Sequence, residues 1–378
     1  MHIRSLLAGL VGAAFLASAA AAGELASHGE VRIGMVNALS GPASGLGKGM
    51  LEGAQAVFKE VNANGGVHGR KISLVVADDG YEPDNTVEQT LKMVQEQKVF
   101  SLFGYVGTPT TNAVLPLIAE LDVPLVGVLS GAMSLRWPVK RLVFNVRASY
   151  EDETEALVGH LLQHGAKSVA VMYQYDGFGL AVLSGTQKAL AKRGSSVVAT
   201  GTYQRNTVAI KSGLAAMVEA QPDAIVMVGT YAPVAAFIKA ARAAGLKSQL
   251  ATVSFVSTDD LVPLVGQDGN GVLISQVVPF PEDAGSAVAR ECSAVLAKHA
   301  NAKLGFVNFE GCISARLMVA ALERAGKNPT RQGLIDALDG MSALDLGGIT
   351  VSLSRENHQA MSQVFLTQIR DGRIAKIR

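Results

Sequence analysis

The sequence predicts an α/β protein built from two doubly wound parallel-sheet lobes. Three observations carry this. Continuous runs of Val, Ile and Leu alternate with segments of helical spacing, the pattern of parallel strands covered on both faces. The alternation runs once and then starts again. The chain has 378 residues, more than one domain usually holds.

The elements follow in order. "VRIGMV" reads as a buried strand, and "GMLEGAQAVFKEVNA" places Leu51, Ala54, Val57, Phe58 and Val61 at helical spacing before the glycines of "NGGVHGR" end it. "KISLVVADD" is the second strand, followed by a helix from about Asn85. "VFSLFGYV", "NAVLPLIAEL" and "VPLVGVL" give strand, helix and strand. The second round opens with "LVFNV" and the helix "ETEALVGHLLQHG", then "SVAVMY" and "LAVLSGTQKALAKRG". "SVVATGTY", a further helix, "AIVMVG", "VAAFIKAARAAG" and "QLATVSF" complete it. The tail differs. Two successive helices, near Ser286–His299 and Gly311–Ala325, precede the short strands "GGITVSL" and "SQVFLTQIRDGRIAKIR", whose Asp371-Gly372 marks a hairpin turn.

Composition narrows the function classes. Apolar residues make up 49% and charged residues 17%, enough for sizeable cores. A net charge of +1 with no block of like charges advertises no nucleic-acid partner. At the N-terminus, Arg4 precedes the apolar run "LLAGLVGAAFLAS" and then small residues, with Ala20 and Ala22 at the two small positions of a cleavage site before Gly23. Residues 1–22 are therefore expected to be a signal peptide and the mature chain to be exported without a lipid anchor, since no Cys follows the run. The two cysteines, Cys292 and Cys312, lie in helical patterns and fit either a disulfide or two buried thiols.

The stretch "LFGYVGTPTTNAVLPL" sets small and hydroxyl residues, Gly107, Thr108, Thr110 and Thr111, between a buried strand and a helix. A phosphate loop needs G-x-x-x-x-G-K-[ST]. "GTPTTN" has no Lys, and in "SGPASGLGKGM" Gly49 follows Lys48 where Ser or Thr belongs. A dinucleotide fingerprint fails on the spacing of Gly45, Gly47 and Gly49, and no G-x-S-x-G nucleophile turn is present. The histidines show no metal-ligand spacing, no acid, base and nucleophile assemble, and no cofactor is expected. Anion recognition remains. Strand ends of such sheets hold ligands. Thr108, Ser130 and the N–H of Gly131, on two loops facing one crevice, suit a carboxylate. Each hydroxyl alone has a plainer reading as a helix cap.

Several segments occur together and in order: "IGMVNALSGPASGLGKGMLEGAQAVFKEVNANGGVHGRKISLVVADDGYEPDNTVE", "GTPTTNAVLP", "DVPLVG", "QYDGFG" and "AAFIKAARAAGL". Through them nearly the whole mature chain resembles the periplasmic substrate-binding proteins of ATP-driven branched-chain amino acid transporters. The resemblance implies the type I periplasmic-binding fold, two lobes joined by three crossovers that close on a small molecule by a hinge motion. It implies residence in the periplasm and a membrane permease as partner, with no enzymatic activity, and a monomer is expected. The lobes are expected at 28–147 with 277–356, and at 148–276 with 357–378. A sensor that hands its ligand signal to a receptor is the alternative use of the same fold.

The resemblance also implies site residues. Thr108 matches a hydroxyl that holds the ligand carboxylate. Leu129 and Gly131 match backbone carbonyl and N–H contacts. Phe178 and Tyr231 match second-lobe aromatics, and Leu46 a side-chain pocket position. Tyr105 and Tyr150 are further candidates to line the pocket, beside Ser130 and Gly107 on the loops. Two departures stand out. Ser254 falls where amino-acid binders place a Glu for the ligand ammonium, which points to a carboxylate or amide with an apolar or aromatic body. The competing expectation is that Asp176 or water takes the ammonium. Tyr81 and Gly107 occupy the places of an early disulfide found in some relatives, a change expected to concern stability alone.

Overall fold

The computed structural model describes residues 29–377, so the expected signal peptide lies outside the described residues. The first lobe opens with β1 (Glu30–Asn37), α1 (Ser44–Ala63), β2 (Lys71–Asp78), α2 (Pro83–Gln95), β3 (Ser101–Phe103), α3 (Thr108–Glu120), β4 (Leu125–Val126) and β5 (Val143–Phe144). Its strands form a wholly parallel sheet in the order β2-β1-β3-β4-β5. β3, β4 and β5 are buried along their whole length and β1 nearly so, because helices cover both faces.

The chain then enters the second lobe with α4 (Tyr150–Gln163), β6 (Val169–Gln174), α5 (Gly177–Ala191), β7 (Val197–Tyr203), α6 (Lys211–Ala220), β8 (Ala224–Val228), α7 (Tyr231–Ala243), β9 (Gln249–Thr252), α8 (Thr258–Val265) and β10 (Leu273–Gln276). The start of α4 is fixed locally by a capping box. Ser149 Oγ accepts from Asp152 N (3.1 Å), and Asp152 Oδ2 accepts from Ser149 N (2.9 Å). Back in the first lobe come α9 (Ala287–Ala300), α10 (Phe306–Ala325), α11 (Arg331–Asp339) and the two-stranded β11 (Leu344–Asp345) and β12 (Thr350–Val351). The last strands, β13 (Phe365–Arg370) and β14 (Arg373–Lys376), return to the second sheet, whose order is β14-β13-β10-β9-β8-β6-β7. The chain thus passes between the sheets three times, after β5, after β10 and after β12.

β13 pairs antiparallel with β10 and, through the expected hairpin, with β14, so the second sheet carries an antiparallel edge on its parallel body. The hairpin between β13 and β14 turns at Asp371 and Gly372, both in the left-handed region (φ 51° and 73°). α10 begins at Phe306, five residues before Gly311, because Gly305 and Asn308 close its N-terminus: Asn308 Oδ1 accepts from Gly305 N at 2.8 Å.

α10 belongs to the first lobe because glycines let it lie on α1. A Cβ at Gly53 would sit 1.9 Å from the Asn308 carbonyl, and one at Gly311 would sit 2.5 Å from that of Met50. Cys292 and Cys312 form a disulfide that ties α9 to α10, with a Cα–Cα separation of 6.1 Å. No helix among the described residues is long and apolar enough to cross a membrane.

Candidate functional site

The loops after β3 and β4 lie side by side at the carboxyl ends of the first sheet. Leu129 uses its backbone to join them: its N–H donates to Tyr105 O (2.8 Å) and its carbonyl accepts from Gly107 N (3.1 Å). That bridge brings Thr108 Oγ1 to 2.8 Å from Ser130 Oγ, both fully buried, and Ser130 Oγ also accepts from Ala132 N (3.2 Å). Gly131 accepts from Tyr150 N (2.7 Å), and a Cβ there would lie 2.5 Å from the Tyr150 ring. The two hydroxyls of the anticipated cradle therefore form one buried pair roofed by Tyr150.

Aromatic side chains of both lobes meet over this pair. Tyr150 lies 5.3 Å from Phe178, Phe178 lies 4.6 Å from Phe255, and Phe255 lies 6.2 Å from Tyr81 of the first lobe. Tyr231 reaches the first lobe at the rim, where its hydroxyl accepts from Gly45 N (3.2 Å) beside Leu46, which is buried in the first turn of α1. Tyr105 does not join the group. Its hydroxyl pairs with Thr90 Oγ1 of α2 at 2.9 Å, so the side chain points beneath that helix into the first lobe, and its expected place in the pocket wall is corrected.

Asp176 is not free for a ligand ammonium either. It is the N-cap of α5, accepting from Phe178 N (2.9 Å) and Gly179 N (3.3 Å) through Oδ1 and from Gln174 Nε2 (2.6 Å) through Oδ2.

Ser254 is buried against a guanidinium. Arg147, on the first crossing between lobes, donates through Nη2 to Ser254 Oγ and to Glu153 Oε1 (2.8 Å), and its Nη1 lies 3.4 Å from Glu310 Oε2. Glu153 Oε2 accepts from Ser254 N (2.8 Å) and Ser275 Oγ (2.6 Å), so both of its oxygens are occupied. Burial opposes the Arg147 charge, yet Glu310 and Glu153 hold it well above the usual arginine range. For Glu310, burial outweighs the attraction of Arg147 and pushes the carboxyl up to about 7. Arg147 was not among the anticipated residues. A lone charge in the apolar "LVFNVRAS" was the available signal, but its partners lie on α4, on the loop after β9 and on α10.

A latch closes the lobes beside Tyr81. Asn206 Nδ2 donates to Gly80 O (3.1 Å) and Glu82 Oε1 (2.7 Å), and Arg205 pairs with Glu82 at 2.6 Å. On α8, Asp259 Oδ2 accepts from Phe306 N of the first lobe (2.7 Å). Among the described residues no cluster of three or more His, Cys, Asp or Glu is placed to hold a metal. The arrangement can enclose a small acceptor-bearing molecule between aromatic walls; it holds no nucleophile poised beside a base.

The sequence profile of a family described as "Periplasmic binding protein" matches residues 30–373. A solved structure of a possible leucine/isoleucine/valine-binding protein from Rhodopirellula baltica superimposes with a TM-score of 0.88 at 33% identity, covering 92% of this chain and 96% of that one. A substrate-binding periplasmic protein from Ralstonia solanacearum does so with a TM-score of 0.87 at 27% identity, covering 92% and 100%. A fatty acid ABC transporter substrate-binding protein from Thermomonospora curvata shares the fold, with a TM-score of 0.83 at 22% identity, covering 92% and 91%. Among curated relatives, a Leu/Ile/Val-binding protein of Rhizobium johnstonii is 31% identical over 160 residues, 40% of this chain and 42% of its own. An amino acid binding protein of Pseudomonas aeruginosa is 26% identical over 170 residues, 44% of each chain. The matched segments span about half the length of these curated relatives or less.

Proposed function

Because the chain belongs to the periplasmic binding protein family, we propose that it captures a small carboxylate between its two lobes and delivers it to the membrane permease of an ATP-driven importer. The ligand has an apolar or aromatic body and no free ammonium. One observation carries the ligand class: Ser254, at the place where amino-acid binders set a Glu, faces the Arg147 guanidinium instead of presenting a carboxylate. An ammonium there would meet a cation and a hydroxyl while both oxygens of Glu153 are engaged. Leaving such a charge desolvated and unpaired costs about 3–5 kcal/mol. At the other end, the paired hydroxyls of Thr108 and Ser130 use one O–H on each other and keep one to donate to a carboxylate.

The test is thermal melting of the mature protein against amino acids, aromatic and aliphatic carboxylates, and amides, since a ligand that binds only the folded state raises the melting temperature. Shifts confined to carboxylates without an amine are expected. A shift with leucine-like amino acids and none with their deaminated analogues would refute the ligand class.

A further inference from the structure

Tyr81 sits on the turn after β2 with a left-handed backbone (φ 63°), an uncommon conformation for a bulky residue. The turn is built to hold it there. Asp78 Oδ1 accepts from Leu39 N (2.9 Å), Ser40 N (3.2 Å) and Gly80 N (2.9 Å), and Asp79 Oδ1 accepts from Tyr81 N (2.8 Å). The latch of the second lobe then grips both flanking residues, Gly80 and Glu82. The ring so presented crosses Gly107, where a Cβ would lie 2.3 Å from it, and reaches Phe255 of the opposite lobe. The residue is 1% exposed, and its hydroxyl makes no hydrogen bond of full geometry. The Gln174 amide is its polar neighbour, but the hydrogen bond that amide makes goes to Asp176 Oδ2 (2.6 Å). The Tyr150 hydroxyl, in the same aromatic group, is likewise buried and makes no hydrogen bond of full geometry, with Gly131 N and Ser130 Oγ as its polar neighbours. Buried hydroxyls almost always find a partner, so two orphans in one crevice point to a ligand that supplies one.

We propose that Tyr81 is a ligand-contact residue whose phenol hydroxyl bonds an oxygen substituent on the ligand body. This rests on the carboxylate reading above and narrows it to carboxylates carrying a second, neutral oxygen function such as a hydroxyl, ether or carbonyl. It also revises the expectation that the change at positions 81 and 107 bears on stability alone. Tyr81 needs a glycine opposite, since a Cβ at position 107 would lie 2.3 Å from its ring.

The test uses calorimetric titration of the mature protein and of Tyr81→Phe with matched probes: benzoate and 4-hydroxybenzoate, hexanoate and 6-hydroxyhexanoate. The wild type is expected to prefer the oxygenated member of at least one pair by about tenfold, a preference that Tyr81→Phe abolishes with the plain member's affinity unchanged. Equal preference in both proteins would overturn the assignment and leave the carboxylate reading intact. Binding of amino acids alone would refute the carboxylate reading, and Tyr81 then fails if Tyr81→Phe binds them as tightly as wild type. Melting of the ligand-free proteins decides independently. An orphan hydroxyl leaves Tyr81→Phe as stable as wild type or more so, whereas a lower melting temperature would reveal a partner within the protein and overturn the proposal.

Discussion

Closure should depend more on Asn206 than on the charged residue beside it. Asn206→Gly removes two hydrogen bonds across the lobes, to Gly80 O (3.1 Å) and Glu82 Oε1 (2.7 Å), while glycine keeps the left-handed backbone that Asn206 adopts (φ 57°). At about 1 kcal/mol each, and somewhat more for the bond to a carboxylate, the loss is about 2–2.5 kcal/mol, or about 30- to 70-fold in the closing equilibrium. Arg205→Ala removes an ion pair with Glu82 whose side chains are 23% and 44% exposed, so solvent screens it. Such a pair contributes about 0.5–1 kcal/mol, a two- to fivefold effect. The assay is the dissociation constant and dissociation rate of the best-bound carboxylate, with the melting temperature of the ligand-free variants as control. Both variants should act mainly on dissociation, because the latch forms once the lobes have met. An Arg205→Ala effect equal to or larger than that of Asn206→Gly would refute this account, as would unchanged affinity in both.

Three further outcomes are expected. Arg147→Met should lower stability to urea by about 3–5 kcal/mol, because it strands the buried carboxylates of Glu153 and Glu310; an unchanged midpoint would show that the network contributes nothing. Glu310 has a folded value of about 7 against an ordinary 4.5, so the folded chain binds the extra proton and its contribution, present below about pH 4.5, is lost as pH rises through 7. Glu310→Gln should therefore flatten the fall in stability between pH 5 and 8, and a steeper fall in urea titrations would contradict this. Gly107→Ala should destabilise by about 2 kcal/mol or more, from a φ of 102° and a Cβ 2.3 Å from the Tyr81 ring. Adding Tyr81→Ala should recover the steric part alone, which thermal melting of the single and double variants reads directly.

Strands buried on both faces were the most legible part of the chain, since "VRIGMV" or "AIVMVG" admits few other readings. The turn at Asp371-Gly372 was equally plain, because its chemistry is local. The start of α10 was hidden, as its cap is a glycine closed by the side chain of Asn308 rather than a leading Ser or Thr. The adjacency of Thr108 and Ser130 was legible because each follows a strand that declares itself. Tyr105 was misplaced because the chain leaves β3 through Gly104, in the left-handed region (φ 68°), and strand alternation no longer tells which way a side chain turns. The places of Tyr81 and Phe255 in the aromatic group were not legible for a related reason: both lie on turns, where direction is set by Asp carboxylates and irregular backbone that carry no periodicity. Arg147 touches Ser254 across 107 residues, a separation at which one sequence offers no clue to pairing.

The lobes are discontinuous, and that dictates when they can form. α1 is covered by α10, and the bond from Asn308 Nδ2 to Glu52 Oε2 (2.8 Å) joins residues 256 apart in the chain. β10 pairs with β9 on one side but receives its other neighbour, β13, only from the closing residues, where Thr367 Oγ1 donates to Ile274 O at 2.9 Å. Contacts of such separation must overcome the entropy of closing long loops before they yield any stabilisation, so folding is slow and comes late. A nascent chain that ends before residue 306 leaves one face of α1 bare, and one that ends before residue 365 leaves β10 with an open edge. A product cut short therefore exposes apolar surface and an unpaired strand edge, the features that proteases and chaperones bind.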